Sequence, residues 1–138
     1  MSTAQNVALV QRYFAECVSG ASGRDAERAL ALVDELVSDD FVMFYNDDSD
    51  AQGVRGREPH KQFLARHARN LPDDRWTIEA IVAQADSVAC QWRFHGTYAK
   101  TGKPVDVLAA DFFRVRDGRL AELRRFLDFK SFEAQLEP

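Results

Sequence analysis

One carboxylate sits where apolar side chains are expected. Every second residue from Val105 reads Val105, Val107, Ala109, Asp111, Phe113, Val115. Asp117-Gly118 follows, then R-L-A-E-L-R-R-F-L-D-F. Two strand-like runs around an Asp-Gly pair predict a β-hairpin with a two-residue turn. A lone Asp in an apolar row is either half of a cross-strand ion pair or a pocket carboxyl that holds or moves a proton. Burial among apolar side chains favours its neutral form, whereas an arginine across the hairpin favours the anion.

Counting outward from the turn predicts the register. Val115 faces Leu120, Phe113 faces Glu122, Asp111 faces Arg124, Ala109 faces Phe126, and Val107 faces Asp128. One face then carries Asp111, Glu122, Arg124, Phe126 and Asp128. The other carries Phe112 with Leu123, Leu108 with Leu127, and Phe129. Tyr13 is a second chemical candidate, at the edge of an apolar helical stripe, either a core side chain or a hydroxyl acid facing a cavity. His95 falls on the outer face of its strand. His60 and His67 are seven apart on one predicted helix. Zinc-binding helical pairs favour a spacing of four, so no metal is expected. The sequence has neither a Gly-rich phosphate loop nor a nucleophile elbow.

These residues must be positioned by helices followed by strands. A first helix over residues 3–19 is capped by Ser2 or Thr3, with Val7, Val10, Phe14, Cys17 and Val18 inward. Gly20-Ala21-Ser22-Gly23 ends it. Asp25 caps a second helix with Ala26, Leu30, Val33, Leu36 and Val37 inward, closed by Asp39-Asp40. A short strand follows over Phe41 to Tyr45. The acids Asp47, Asp48 and Asp50 lie in a Gly-containing loop without EF-hand order, read as a solvated turn. Pro59 suits the first turn of a third helix, with Phe63, Leu64, His67 and Leu71 inward and Pro72 as its stop. Then the period changes to two: Trp76, Ile78, Ala80, Val82 in one strand, and Val88, Cys90, Trp92, Phe94 in the next. Phe132 to Leu136 reads as a last helical turn. The expected architecture is α+β, one domain over residues 1–138, with helices on one face of a curved antiparallel meander.

Ten phenylalanines and 46% hydrophobic residues suit a packed core. The net charge of −4 offers no electrostatic footprint for nucleic acid. No apolar run reaches the roughly 18 residues of a membrane span. The N-terminus has no signal-peptide pattern, and Cys17 and Cys90 read as reduced, buried thiols, so a cytoplasmic protein is expected.

The order of elements, together with Gly56-Arg57-Glu58, Trp92-Arg93-Phe94, the D-x-F-R-V-x-D-G-R-L run from Asp111 to Leu120, and Asp128, resembles the NTF2-like superfamily. Within it the chain is similar to the SnoaL-like proteins, which include polyketide cyclases and relatives of steroid delta-isomerase. The resemblance covers nearly the whole chain. It implies a cone-shaped fold, three helices packed on the curved sheet, an interior apolar pocket and a homodimer, with no metal and no cofactor. The isomerase oxyanion hole pairs a first-helix Tyr with a neutral Asp. Tyr13 and Asp111 match those segments. The isomerase general base falls at Tyr45, a departure that removes the base. Limonene-epoxide-hydrolase relatives use an Asp-Arg-Asp set. Asp111, Arg124 and Asp128 resemble it, although the two acids would be about 13 Å apart along the strand.

The expected function is a pocket for a small apolar molecule, with acid–base isomerisation or cyclisation of a carbonyl compound through an enolate. Asp111 and Tyr13 would hold the oxyanion, and Asp128 or a loop acid would take the proton. Tyr45, Trp92, Phe113, Arg124 and Phe126 would bind the substrate. The alternatives are a non-catalytic ligand-binding or dimeric interaction module, and an epoxide-hydrolase-like activity.

Overall fold

A computed structural model describes residues 2–19, 26–46 and 54–138 of the chain. The expected cap at Asp25, the Gly20–Gly23 terminator and the acids of the 47–53 loop lie outside the described residues. Helix α1 (Thr3–Arg12) starts in a capping box: Ser2 Oγ accepts from the Gln5 amide, and the Gln5 side chain accepts from the Ser2 amide. The helix then widens into a π-helical segment, Tyr13–Val18. Its buried side chains run Leu9-Val10, Tyr13-Phe14, Cys17-Val18, a spacing of four that drifts around an ordinary α-helix. The wider π turns counter that drift and keep both Tyr13 and Phe14 on the core.

Helix α2 (Ala26–Leu36) runs directly into strand β1 (Val37–Tyr45). Val37, expected on the helix, is thus the first strand residue, and Asp39-Asp40 are exposed strand positions rather than a helix stop. Helix α3 spans Arg57–Asn70, with His60, Leu64 and Ala68 buried. The strands β2 (Arg75–Gln84), β3 (Ser87–Thr97), β4 (Pro104–Arg116) and β5 (Arg119–Leu127) form the expected meander. A fourth helix, α4 (Phe129–Leu136), closes the chain.

The sheet order is β1-β5-β4-β3-β2. The meander is antiparallel, but β1 pairs parallel to β5, so the sheet is mixed. The overall class is α+β, with helices covering the curved sheet's inner face. None of the described helices is long and apolar enough to cross a membrane.

Two β-bulges decide which side chains face that core. On β5, Val115 pairs with Leu120, but Arg114 pairs with Glu122, which leaves Ala121 as an extra residue. Beyond the bulge the register differs by one from the count: Phe113 meets Leu123, Asp111 meets Arg125, and Ala110 meets Phe126. On β2, Ile78 pairs with Trp92 and Ala80 with Gln91, which leaves Glu79 extra. Ile81 and Ala83 therefore turn inward, and Val82 is 67% exposed. The turn itself forms as expected, with Asp117 at φ 52° and Gly118 at φ 74°, the left-handed pair of a type I′ hairpin.

Candidate functional site

Asp111 lies on the central strand β4, fully buried, between Cys90 of β3 and Arg125 of β5. Arg125 Nε donates to Asp111 Oδ1 at 2.9 Å, and Arg125 Nη2 donates to Oδ2 at 2.9 Å. Both carboxylate oxygens are engaged by these bonds. The guanidinium also sits 4.7 Å from the Trp92 ring and 5.7 Å from the Trp76 ring, where a planar cation is held by the aromatic faces. Burial works against the Arg125 charge, but the Asp111 charge and hydrogen bonds outweigh it and raise its pKa.

Tyr13 makes a different pair. Its hydroxyl lies 2.7 Å from His60 Nε2, and both side chains are buried. Burial raises the Tyr13 pKa, so the phenol keeps its proton and shares a hydrogen bond with the imidazole. Burial, with the Arg125 charge second, pushes His60 down to about 3. The ring lies tilted against Phe41, centroid to centroid 4.7 Å, and its Nδ1 has no hydrogen-bond partner among the described residues.

Beside these pairs is a cavity of about 200 Å³. Trp92 and Arg125, both buried, form its deep end, and exposed Arg66 and Asn70 mark its rim. Tyr45, Trp76, Phe94, Leu127 and Phe132 contribute apolar walls, the last from α4. Burial raises the Tyr45 hydroxyl, and the neighbouring Arg125 guanidinium pulls it back by charge and hydrogen bonding. The Trp92 indole N–H is buried with no partner among the described residues. His67 also lines this cavity. Its Nε2 lies 2.9 Å from Asp74 Oδ2, which also accepts the Trp76 indole N–H at 2.6 Å.

The expected site residues therefore separate. Tyr45 and Trp92 line the cavity. Asp111 touches it only through Arg125, and Tyr13 and Phe113 pack in the core, their rings edge to face at 5.9 Å. Arg124 is one register step off and lies on the outer face, its guanidinium 4.5 Å from the Phe44 ring. Phe126 is on that face too, 40% exposed and edge-on to Phe112 at 5.8 Å. Asp128 is exposed and caps α4 through the Ser131 amide at 3.1 Å. The expected shared face of Asp111, Glu122, Arg124, Phe126 and Asp128 does not form, because the bulge at Ala121 turns Leu123 and Arg125 inward instead.

The count from the turn missed Arg125 because it carried no bulge. The signal for one was Leu120 and Leu123, three apart in one strand, which strict alternation puts on opposite faces. It also missed His67 with Asp74, because one belongs to a helix and the other to the residue before β2. Their proximity follows from the packing of α3 against the sheet.

A SnoaL-like domain model matches residues 7–123. No curated protein matches the sequence. Among solved structures, a candidate SnoaL-like polyketide cyclase from Jannaschia sp. CCS1 superposes with a TM-score of 0.84 at 24% identity, over 99% of this chain and 94% of that one. An LEH-like epoxide hydrolase from M. tuberculosis gives 0.72 at 18% identity, over 97% and 90%. An NTF2-like protein of unknown function from Burkholderia pseudomallei gives 0.77 at 13% identity, over all of both chains. At these identities the structures speak for the fold, and the domain match over most of the chain speaks for the family. The protein belongs to the SnoaL-like family and has the NTF2-like fold.

Proposed function

We propose that this domain binds a small, largely apolar carbonyl compound and carries out acid–base isomerisation or ring closure on it through an enolate. The observation that carries this reading is Arg125. Its guanidinium lines an aromatic cavity and is held rigid by two hydrogen bonds to Asp111 and by two indole rings. Arg125 has five N–H donors, and the two to Asp111 leave others for a ligand oxygen. A preorganised donor in a water-poor site stabilises charge as it develops on that oxygen. Because Asp111 already balances the cation, the site suits a neutral carbonyl that gains charge during reaction. The Trp92 N–H, buried without a partner, is a second donor whose burial a ligand oxygen would compensate. Asp111 thus acts by positioning Arg125, and the oxyanion role expected of Asp111 and Tyr13 passes to Arg125 and Trp92.

The test uses naphthols as enolate mimics and reads quenching of Trp76 and Trp92 fluorescence. Affinity should rise with naphthol acidity and fall about tenfold or more in the Asp111→Leu/Arg125→Met double variant, the loss of one charge-assisted hydrogen bond. Naphthols that bind no better than naphthalene, with no dependence on acidity, would remove the basis for the reading.

We also infer a homodimer through the outer sheet face. Leu108, Phe112 and Phe126 are 47%, 54% and 40% exposed there. Arg114 and Glu122 lie beside them. A two-fold copy places acid opposite base around a shared aromatic centre.

A further inference from the structure

We propose that His67 is the general base of this cavity and that Asp74 is its positioning residue. The inference rests on the enolate reading above and supplies the proton acceptor which that reading lacks. Three observations support it. The His67 side chain lines the same cavity as Arg125 and Trp92, and is 17% exposed, so it is within reach of both solvent and ligand. Asp74 is wholly buried at its side chain and lies behind the imidazole, with Oδ2 2.9 Å from Nε2. The same oxygen accepts the Trp76 N–H at 2.6 Å, so an indole that walls the cavity also fixes the carboxylate.

The hydrogen bonding decides the tautomer. A carboxylate oxygen that already accepts from Trp76 accepts from Nε2–H as well, which leaves the lone pair on Nδ1. His67 makes no side-chain hydrogen bond through Nδ1 among the described residues. The ring is set between Trp76 and Phe94, each with its centroid 5.3 Å away, so its orientation is restrained on both sides. A base held through its far nitrogen by a buried carboxylate is the arrangement general-base catalysis needs. His60, the other helix histidine, is unsuited, since its Nε2 is taken up by Tyr13 and it is sealed from the cavity.

In the step, the Nδ1 lone pair takes a proton from the carbon next to the substrate carbonyl. The C–H electrons form the new C=C bond, and the carbonyl π electrons move to oxygen, to which the Arg125 and Trp92 N–H groups donate hydrogen bonds. The imidazolium, steadied by Asp74, returns the proton to the same or a conjugated carbon. No oxidant, reductant or second reactant is consumed.

The experiment follows deuterium uptake at the α carbons of 2-tetralone in D2O by NMR, with 2-naphthol binding measured in parallel. Wild-type protein should catalyse the exchange. His67→Ala should lose about a hundredfold or more of it, the lower end of what a positioned base supplies, and should still bind 2-naphthol. Added imidazole should restore exchange in His67→Ala, which a purely structural loss would not allow. His67→Gln, which keeps the volume and the hydrogen bond to Asp74, covers the case in which the alanine variant misfolds; it too should lose exchange. Asp74→Asn should lower the maximal exchange rate without changing the half-saturating 2-tetralone concentration. Wild-type exchange rates in folded His67→Gln that binds naphthol would overturn the assignment while leaving the pocket reading intact. A wild-type protein that binds 2-naphthol but exchanges nothing overturns the assignment as well. A wild-type protein that neither binds nor exchanges overturns both.

Discussion

Asp111→Ala would leave the Arg125 guanidinium buried without its counter-ion. The Asp111 and Arg125 side chains are 0% and 5% exposed, so water cannot replace the lost carboxylate. Breaking a buried pair from one side costs about 3–5 kcal/mol. Counting bonds leads to a similar figure, since two charge-assisted hydrogen bonds at about 1.5–3 kcal/mol each are lost. The indole faces of Trp76 and Trp92 stay in place and retain part of the cation's stabilisation, which favours the lower half of that range. Against a total stability of about 5–15 kcal/mol for a domain, this is a large fraction. In urea, with a slope of about 1–3 kcal/mol per molar, the midpoint should fall by about 2 M. The double variant Asp111→Leu/Arg125→Met removes both charges at similar volume and should recover at least half of the loss. Unfolding followed by tryptophan fluorescence and circular dichroism gives both numbers. If Asp111→Ala lost less than about 1 kcal/mol, the pair would behave like an exposed ion pair and would not hold Arg125 rigidly in place.

Four shorter predictions follow from the same structure. His60, held near 3 when folded against 6.5 when free, should show no imidazole titration by NMR between about pH 5 and 8. Between those two values the unfolded chain binds a proton that the native state lacks, so stability should fall as pH drops from 6.5 toward 3, by up to about 1.4 kcal/mol per pH unit from this residue. Burial pushes Cys17 and Cys90 up to about 12, so both thiols should resist a disulfide reagent in the native protein and react after unfolding. Gly118→Val should destabilise the hairpin by about 1–2 kcal/mol in a denaturant titration, because φ is 74° there. On the proposed dimer, wild-type protein should sediment as a dimer and Phe112→Glu as a monomer, with naphthol binding unaltered, since Phe112 is on the face opposite the cavity.

Much of the molecule was readable from local pattern. The period-2 row on β4, the Asp-Gly turn and the four inward residues of β3 needed only alternation and turn chemistry, and they stand as read. The capping box at Ser2 likewise depends on residues within one turn. The errors cluster at two bulges. Leu120 and Leu123, and Ile78 and Ile81, are each three apart, which strict alternation assigns to opposite faces. An extra residue at Ala121 and at Glu79 brings each pair to the core. A bulge forms where burying the second side chain outweighs a disrupted ladder bond, and that balance depends on what the helices present to the sheet.

The same division holds at the site. That Asp111 is inward was written in its row of neighbours; that its partner is Arg125 and not Arg124 was set by one unpaired residue, Ala121, four positions before Arg125 on the neighbouring strand. Tyr13 with His60, and His67 with Asp74, join elements 47 and 7 residues apart. No spacing rule brings those pairs together. They meet because α3 packs against α2 and β1 on the sheet's inner face, an arrangement stabilised by apolar burial across the whole domain. Alternation and caps are local energies and leave local marks. Register past a bulge and the convergence of helix with strand are settled by long-range packing, so only the folded chain reveals which acid holds which base.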